Sequence, residues 1–170
     1  MFVAIVATAL TMLSSGTAQV PSARAQQPAL SSASVLAAIN DVRATRSLPP
    51  LRVSPQLAAA AAGHSREMGE RGYFAHKSSD GTSFWRRIAR YYASDGYHSW
   101  SVGENLLWSS GSLSAKAAVA MWMKSPPHRR NLLDPRWRQL GLSALRFASA
   151  PGPFRGLGVT ILTADFGRRF

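Results

Sequence analysis

The chain contains four histidines and eight acidic residues but no cysteine, so its candidate chemistry is that of imidazoles and carboxylates. Neutral imidazoles offer lone pairs to a divalent ion such as zinc, and a nearby carboxylate can complete the shell or hold a bound water. Glu104 stands between Gly103 and Asn105 in an otherwise apolar stretch. An unpaired buried charge is costly, so Glu104 needs a partner, and His76 or His128 could be that partner. A structural ion pair and a role in a functional site both remain open for it.

Other polar residues have simpler interpretations. His64 falls on the apolar side of a predicted helix, which indicates a core residue satisfied by a hydrogen bond. Ser125 precedes a proline, a pattern typical of a helix cap, and Asp165 is expected to pair with one of the many arginines. A Ser125–His128–Glu104 triad is formally open, but it requires a hydrogen bond between the serine and His128.

Hydrophobic periodicity predicts the elements that position these residues. Helices are predicted at 34–46, 55–71 and 84–92, from Ser112 or Ser114 to Lys124, and as a short turn from Pro126. The third helix is expected to turn Arg86, Arg87 and Arg90 toward solvent. Residues 102–108 form an apolar strand, and 139–147 and 156–166 are expected to pair as a hairpin. This order of elements favours a layered α+β domain over a doubly wound sheet.

Composition predicts one folded domain with a basic surface. Of the 170 residues, 46% are hydrophobic and five are tryptophan, which excludes a disordered chain. The net charge of +12 could favour anionic surfaces, although a solvated exterior explains it equally well. Scattered arginine pairs lack the interleaved aromatic residues of a nucleic-acid platform, so nucleic acid is not an expected partner. The lack of cysteine excludes disulfides and thiol redox chemistry.

The first residues resemble a secretory leader. Residues 1–13 form an apolar run without a charged side chain, and Ala-Arg-Ala at 23–25 predicts cleavage after Ala25. This run is too short to span a bilayer, and no second apolar stretch is long enough. We therefore expect a signal peptide at 1–25, a short flexible tail at 26–32 and a domain at 33–170. The mature product is expected to be a monomer, secreted or periplasmic, without a transmembrane segment.

Several local signatures occur in a fixed order along the chain. They are Leu48-Pro49-Pro50-Leu51, His64-Ser65-Arg66-Glu67-Met68, Tyr73-Phe74-Ala75-His76, Gly103-Glu104-Asn105, the stretch from Trp122 to Leu132 and Asp165-Phe166-Gly167. The series resembles the bacterial branch of the CAP (SCP-like) superfamily, which includes cysteine-rich secretory proteins, antigen 5 and pathogenesis-related proteins. The resemblance extends from about Val35 to Gly167, and the order of the signatures makes it specific.

The resemblance implies a three-layer α-β-α sandwich with a small antiparallel sheet and an open cleft lined by histidines and acidic residues. The family's cleft histidines fall on His76 and His128, and its first cleft glutamate falls on Glu104. The second family glutamate is replaced by Ser125, so the family's four-residue arrangement is incomplete. Zinc or another divalent ion would be held by the two histidines, with Glu104 either binding the metal or accepting a histidine ring N–H.

Three functional hypotheses follow. The favoured one is an extracytoplasmic module whose cleft binds a small ligand, a lipid or an envelope component, with or without a divalent ion. The second is a peptidase-like hydrolase in which a metal held by His76 and His128 activates water and Glu104 acts as general base. The third is adhesion of the basic surface to anionic polymers. A family resemblance fixes a scaffold and not a reaction, so the sequence leaves all three open.

Overall fold

A computed structural model describes residues 30–170. The predicted signal peptide and residues 26–29 of the predicted tail lie outside the described residues. The elements are, in chain order, α1 (Ser32–Ala44), β1 (Arg52–Val53), α2 (Pro55–Arg71), α3 (Phe84–Ala89), β2 (Trp100–Ser109), α4 (Ala115–Lys124), α5 (Pro126–Leu133), β3 (Gln139–Phe147), a 3₁₀ turn (Gly152–Phe154) and β4 (Val159–Arg169). Within the described range, no helix is both long and apolar enough to cross a membrane.

The four strands form one sheet in the order β1-β3-β4-β2. The hairpin predicted for the last two strands is confirmed, since β3 and β4 pair antiparallel from Gln139↔Gly167 to Phe147↔Val159. The other edge of β4 pairs antiparallel with β2, and this register places Glu104 directly opposite Asp165. Only β1, two residues long, pairs in parallel with its neighbour. Strand β4 therefore connects the two halves of the sheet.

Helices cover both faces of the sheet, which confirms the three-layer sandwich. One face packs against α1, α4 and α5 around a core that includes Trp122, Leu162 and Phe166. The opposite face packs against α2, with α3 beside it. Successive strand residues point to opposite faces, so Glu104 and Asp165 share the α2 side with Gly141.

Local sequence explains where the helices begin and end. The Ser54 hydroxyl accepts a hydrogen bond from the backbone N–H of Leu57, and Pro55 occupies the first position of α2. Gly72 ends that helix in the left-handed conformation at φ 66°, which glycine adopts without strain. Ser114, one of the two predicted caps, accepts from the N–H of Ala117 at the start of α4.

Several predicted boundaries differ from the structure. Helix α3 ends at Ala89 rather than at residue 92, and β4 begins at Val159 rather than at residue 156. The late start of β4 follows from its connection, because Arg155 and Gly156 adopt positive φ angles of 56° and 72° that are incompatible with a strand. Strand β1 was not predicted, because two residues are too short for a period-2 pattern.

Helix α2 lies unusually close to the centre of the sheet at Gly141. A Cβ added at this glycine would lie 2.0 Å from the carbonyl carbon of Leu57 and 2.2 Å from the backbone nitrogen of Ala58. Both contacts are with backbone atoms, which cannot move aside as a flexible side chain can. The missing side chain of Gly141 therefore sets the distance between α2 and the polar residues beneath it.

Replacing Gly141 by alanine is expected to lower the free energy of unfolding by at least about 2 kcal/mol, because the added methyl group would push α2 off the sheet. Urea denaturation of the Gly141→Ala variant measures this loss. Gly111→Ala is the matched control, since nothing lies within 4 Å of its added Cβ. Equal unfolding midpoints for the two variants would contradict the proposed close packing.

Candidate functional site

The carboxylate of Glu104 lies in the middle of β2 with only 1% of its side chain exposed. Its Oε1 is 2.8 Å from Nδ1 of His76, and its Oε2 accepts a hydrogen bond from Nη2 of Arg87. Both oxygens are thus engaged by residues from outside the sheet. The partner that the sequence required for Glu104 is His76 together with an arginine, and His128 is not bonded to it.

Arg87 corrects a prediction. The sequence pattern placed its side chain toward solvent, but only 7% of it is exposed. Besides Glu104, its guanidinium donates to the backbone carbonyl of His76 at 3.0 Å and to Oγ of Ser78 at 3.2 Å. The neighbouring Arg86 is the exposed residue and lies over the ring of Trp85. The prediction failed because all arginines were assigned to the polar face, although a buried glutamate needs a buried cation.

His76 belongs to the loop between α2 and α3, and 51% of its side chain is exposed. Glu67 on α2 anchors this loop, since its carboxylate accepts hydrogen bonds from the Tyr73 hydroxyl at 2.7 Å and from the Ser79 backbone N–H at 3.2 Å. His76 is itself fixed at Nδ1 by Glu104 and at its carbonyl by Arg87. Its ring is therefore oriented, and Nε2 is the nitrogen left for a ligand.

His128 lies half-buried in the first turn of α5. Nδ2 of Asn105 donates to its backbone carbonyl at 3.0 Å. Asn131 joins the same network, because its Nδ2 donates to the carbonyl of Glu104 at 3.0 Å and to Oδ1 of Asn105 at 2.9 Å. Burial, assisted by the charge of His76, lowers the pKa of His128. His76 and His128 are therefore coupled electrostatically, and the surface that carries these two residues is called the histidine cleft below.

His64 is fully buried on α2 as predicted, and its Nε2 donates to the carbonyl of Ala75 at 2.9 Å. The same nitrogen is 4.0 Å from Oε2 of Glu104. Burial lowers the pKa of His64, against the opposing attraction of the Glu104 charge. His64 therefore supports the loop from inside as a neutral core residue and does not reach the cleft.

The prediction for Asp165, an ion pair with an arginine, is wrong. The side chain is completely buried, and no N–H or O–H group of residues 30–170 donates a hydrogen bond to either carboxyl oxygen. Burial, reinforced by the negative charge of Glu104 on the neighbouring strand, raises the pKa of Asp165 well above its ordinary value. The surroundings of Asp165, beneath the ion pair of Glu104 and Arg87, thus favour its protonated form. No sequence pattern indicated this, because the pairing of the two residues depends on strand register.

Ser125 takes the predicted position before Pro126 with extended backbone angles, but its hydroxyl makes no capping hydrogen bond. Nor is it hydrogen-bonded to His128 within the described residues, while Glu104 is bonded to His76 instead. The contacts that a Ser125–His128–Glu104 triad needs are therefore not formed. The backbone carbonyl of Ser125 contributes instead, by accepting from the N–H of Arg129 in the first turn of α5.

No three histidine, aspartate or glutamate side chains among residues 30–170 are grouped so as to hold one metal ion. Glu104 is already engaged by Arg87 and His76, which leaves the two imidazoles as the donors of the histidine cleft. Imidazole nitrogens suit zinc, but catalytic zinc sites use three protein ligands. An ion held by these two histidines alone would have to complete its coordination with water or ligand atoms.

The sequence model of the family described as "CAP: Cysteine-rich secretory protein family" matches residues 36–155. A Bacillus subtilis (strain 168) protein named "Uncharacterized protein YkwD" is 27% identical over 110 residues, which are 65% of this chain and 40% of that protein. The chain thus spans less than half the length of this relative.

Solved structures show the same fold. An extracellular protein containing a SCP domain from Bacillus anthracis str. Ames is 28% identical with a TM-score of 0.59, over 79% of this chain and 39% of that one. An outer surface protein from Borrelia burgdorferi is 20% identical with a TM-score of 0.61, over 80% of this chain and 90% of that one. The second similarity concerns the fold alone.

Replacing Arg87 by methionine is expected to lower the free energy of unfolding by about 3–5 kcal/mol, because the buried Glu104 would lose its cationic partner. Arg86→Met is the matched control, since this neighbour is exposed and its replacement is expected to cost about 0.5 kcal/mol or less. Adding Glu104→Gln to Arg87→Met is expected to recover part of the loss. Equal unfolding midpoints for the two single variants would refute a stabilising ion pair.

Replacing Asp165 by asparagine is expected to change how stability depends on pH. A raised pKa means that folding favours the protonated acid, so the original chain is stabilised below pH of about 4 and loses this stability as pH rises. Above that pH, the free energy of unfolding of the original chain should fall, relative to that of Asp165→Asn, by up to about 1.4 kcal/mol per pH unit. Urea denaturation of both proteins at several values between about pH 4 and about pH 8 measures the difference between their free energies of unfolding. Parallel stability curves would contradict a raised pKa of Asp165.

Proposed function

Because this chain belongs to the cysteine-rich secretory protein (CAP) family, we propose that it is an extracytoplasmic binding module whose ligand enters the histidine cleft. The ligand is a small molecule, a lipid or an envelope component, bound with or without a divalent ion. The predicted signal peptide at 1–25 supports this location, as does the similarity to an extracellular protein of Bacillus anthracis.

The observation that carries the proposal is the complete engagement of Glu104. Arg87 and His76 each occupy one of its oxygens, and 1% of its side chain is exposed. A general base must lie within hydrogen-bonding distance of the water that it deprotonates and be free to take the proton. Glu104 instead orients the exposed ring of His76, a role that serves binding better than hydrolysis.

The histidine cleft also fits an accessory divalent ion. A carboxylate bonded to one ring nitrogen fixes the tautomer and directs the other nitrogen to a metal, and Glu104 has this relation to His76. His76 and His128 would hold the ion and leave its other positions to water or ligand atoms. When bound, such an ion would supply a Lewis acid that polarises an oxygen atom of the ligand.

Zinc titration by calorimetry at neutral pH tests the cleft directly. The original protein is expected to show saturable binding that is lost in both His76→Ala and His128→Ala, because neither imidazole alone is sufficient. Glu104→Gln is expected to weaken binding by about 10–100-fold, since Glu104 acts through His76. His98→Ala is the control, as this exposed histidine is outside the cleft.

Zinc binding that persists in both His76→Ala and His128→Ala would show that these histidines do not hold the ion, and would refute the accessory ion in the cleft. The binding function itself is tested by incubating zinc-loaded protein with peptide and ester substrates. Turnover that is abolished both by a chelator and by Glu104→Gln would overturn the binding module in favour of the hydrolase. Retention of a ligand without turnover, lost in His76→Ala, would support the module.

A further inference from the structure

A concave surface lies at the end of the sheet where β3 begins and β4 ends. It has a volume of about 590 Å³, within the range of small-molecule sites. Its walls come from the proline connector before β1, the loop before β2 and the strand ends. The main lining residues are Pro49, Pro50, Arg52, Tyr97, Arg138 and Arg169. None of them belongs to the histidine cleft, and this surface is called the arginine groove.

The groove concentrates positive charge without a counterion. Arg52, Arg138 and Arg169 line it, and no acidic side chain does. Within residues 30–170, none of the three forms a salt bridge, whereas Arg87 and Arg136 both do. Like charges repel, so three guanidiniums around one cavity attract an anion to neutralise them.

Arg169 is held in place although its charge is unpaired. Its guanidinium lies 4.1 Å from the ring centre of Tyr92 and 4.6 Å from that of Tyr97, and Nη1 donates to the carbonyl of Ala93 at 3.2 Å. Stacking on two aromatic rings restrains the group without neutralising it. Because Arg169 is already ordered, binding of a ligand costs little further conformational entropy of its side chain.

Arg138 is fixed in a similar way. Its Nη1 donates to the carbonyl of Pro135 at 2.6 Å and to that of Trp137 at 3.0 Å. Within the described residues, its Nη2 and Nε have no hydrogen-bond partner, so they remain available to an anion. The opposite wall is also fixed, because Nε of the buried Arg43 donates to the carbonyl of Pro49 at 2.9 Å.

We propose that the arginine groove binds a phosphate ester. Guanidinium forks match the oxygens of either a phosphate monoester or a phosphodiester bidentately, and a monoester, with about two negative charges at neutral pH, neutralises more of three cations than a single carboxylate does. The prolines and Tyr97 offer apolar surface for the uncharged part of the ester. The phosphate belongs either to a free monoester or to a repeating phosphodiester of an envelope polymer.

Calorimetric titration with glycerol 3-phosphate and with glycerophosphoglycerol, at physiological salt, tests the proposal on the mature chain. Arg52→Gln and Arg138→Gln are each expected to weaken binding at least about tenfold, through loss of charge-assisted hydrogen bonds. Arg146→Gln is the matched control. Arg146 is exposed near the end of β3 that is far from the groove, and its replacement removes the same charge. Stronger binding of the monoester indicates a free metabolite, and stronger binding of the diester indicates a polymer.

Two results would overturn the arginine groove as a phosphate site. One is the absence of saturable binding of both esters to the folded protein. The other is a loss of affinity in Arg146→Gln equal to that in the groove variants, which would show that only the net charge of the protein matters. His76→Ala and His128→Ala are expected to bind phosphate esters unchanged, so this test and that of the histidine cleft fail independently. Arg52 has no intramolecular side-chain hydrogen bond within residues 30–170, so its variant is expected to fold normally.

Discussion

The buried charge of Glu104 is the constraint on which the site and much of its surroundings depend. A carboxylate inside a sheet is tolerated only when it is paired and hydrogen-bonded. Arg87 from α3 and His76 from the preceding loop meet that need, so both segments must pack against β2. The loop carries His76, which helps to balance the buried charge of Glu104, and it is anchored by hydrogen bonds to Glu67, His64 and Arg87.

The same charge organises α2, whose buried side is apolar at both ends and polar in the middle. Leu57 and Ala60 pack with Ile88 and Tyr92, while Met68 packs with Leu106 and Phe154. Between these two apolar clusters, Ser65 is 2.8 Å from the hydroxyl of Thr163, and His64 lies above Glu104. Sliding α2 by one turn would place polar groups against apolar ones. The polar middle therefore favours one register of the helix on the sheet.

Sequence reasoning succeeded where local rules decide and failed where register decides. The start of α2, the hairpin of β3 and β4 and the buried position of His64 follow from capping, alternation and periodicity. The sequence also showed that Glu104 needs a partner. To identify Arg87 as the partner, one must know which side of the six-residue helix α3 faces the sheet. To place Asp165 beside Glu104, one must know how two strands distant in sequence pair. Both depend on tertiary contacts that no window of sequence contains.

The position of β4 also bears on when the protein can fold. This strand lies between β3 and β2, yet it follows both in the sequence. Until it is synthesised, β2 has no strand to pair with and Glu104 has no sheet in which to be buried. Strand β2 and Glu104 consequently cannot reach their final surroundings until β4 is available. This order suits the extracytoplasmic location proposed above, since a translocation channel accepts an unfolded chain and folding would be completed on the far side.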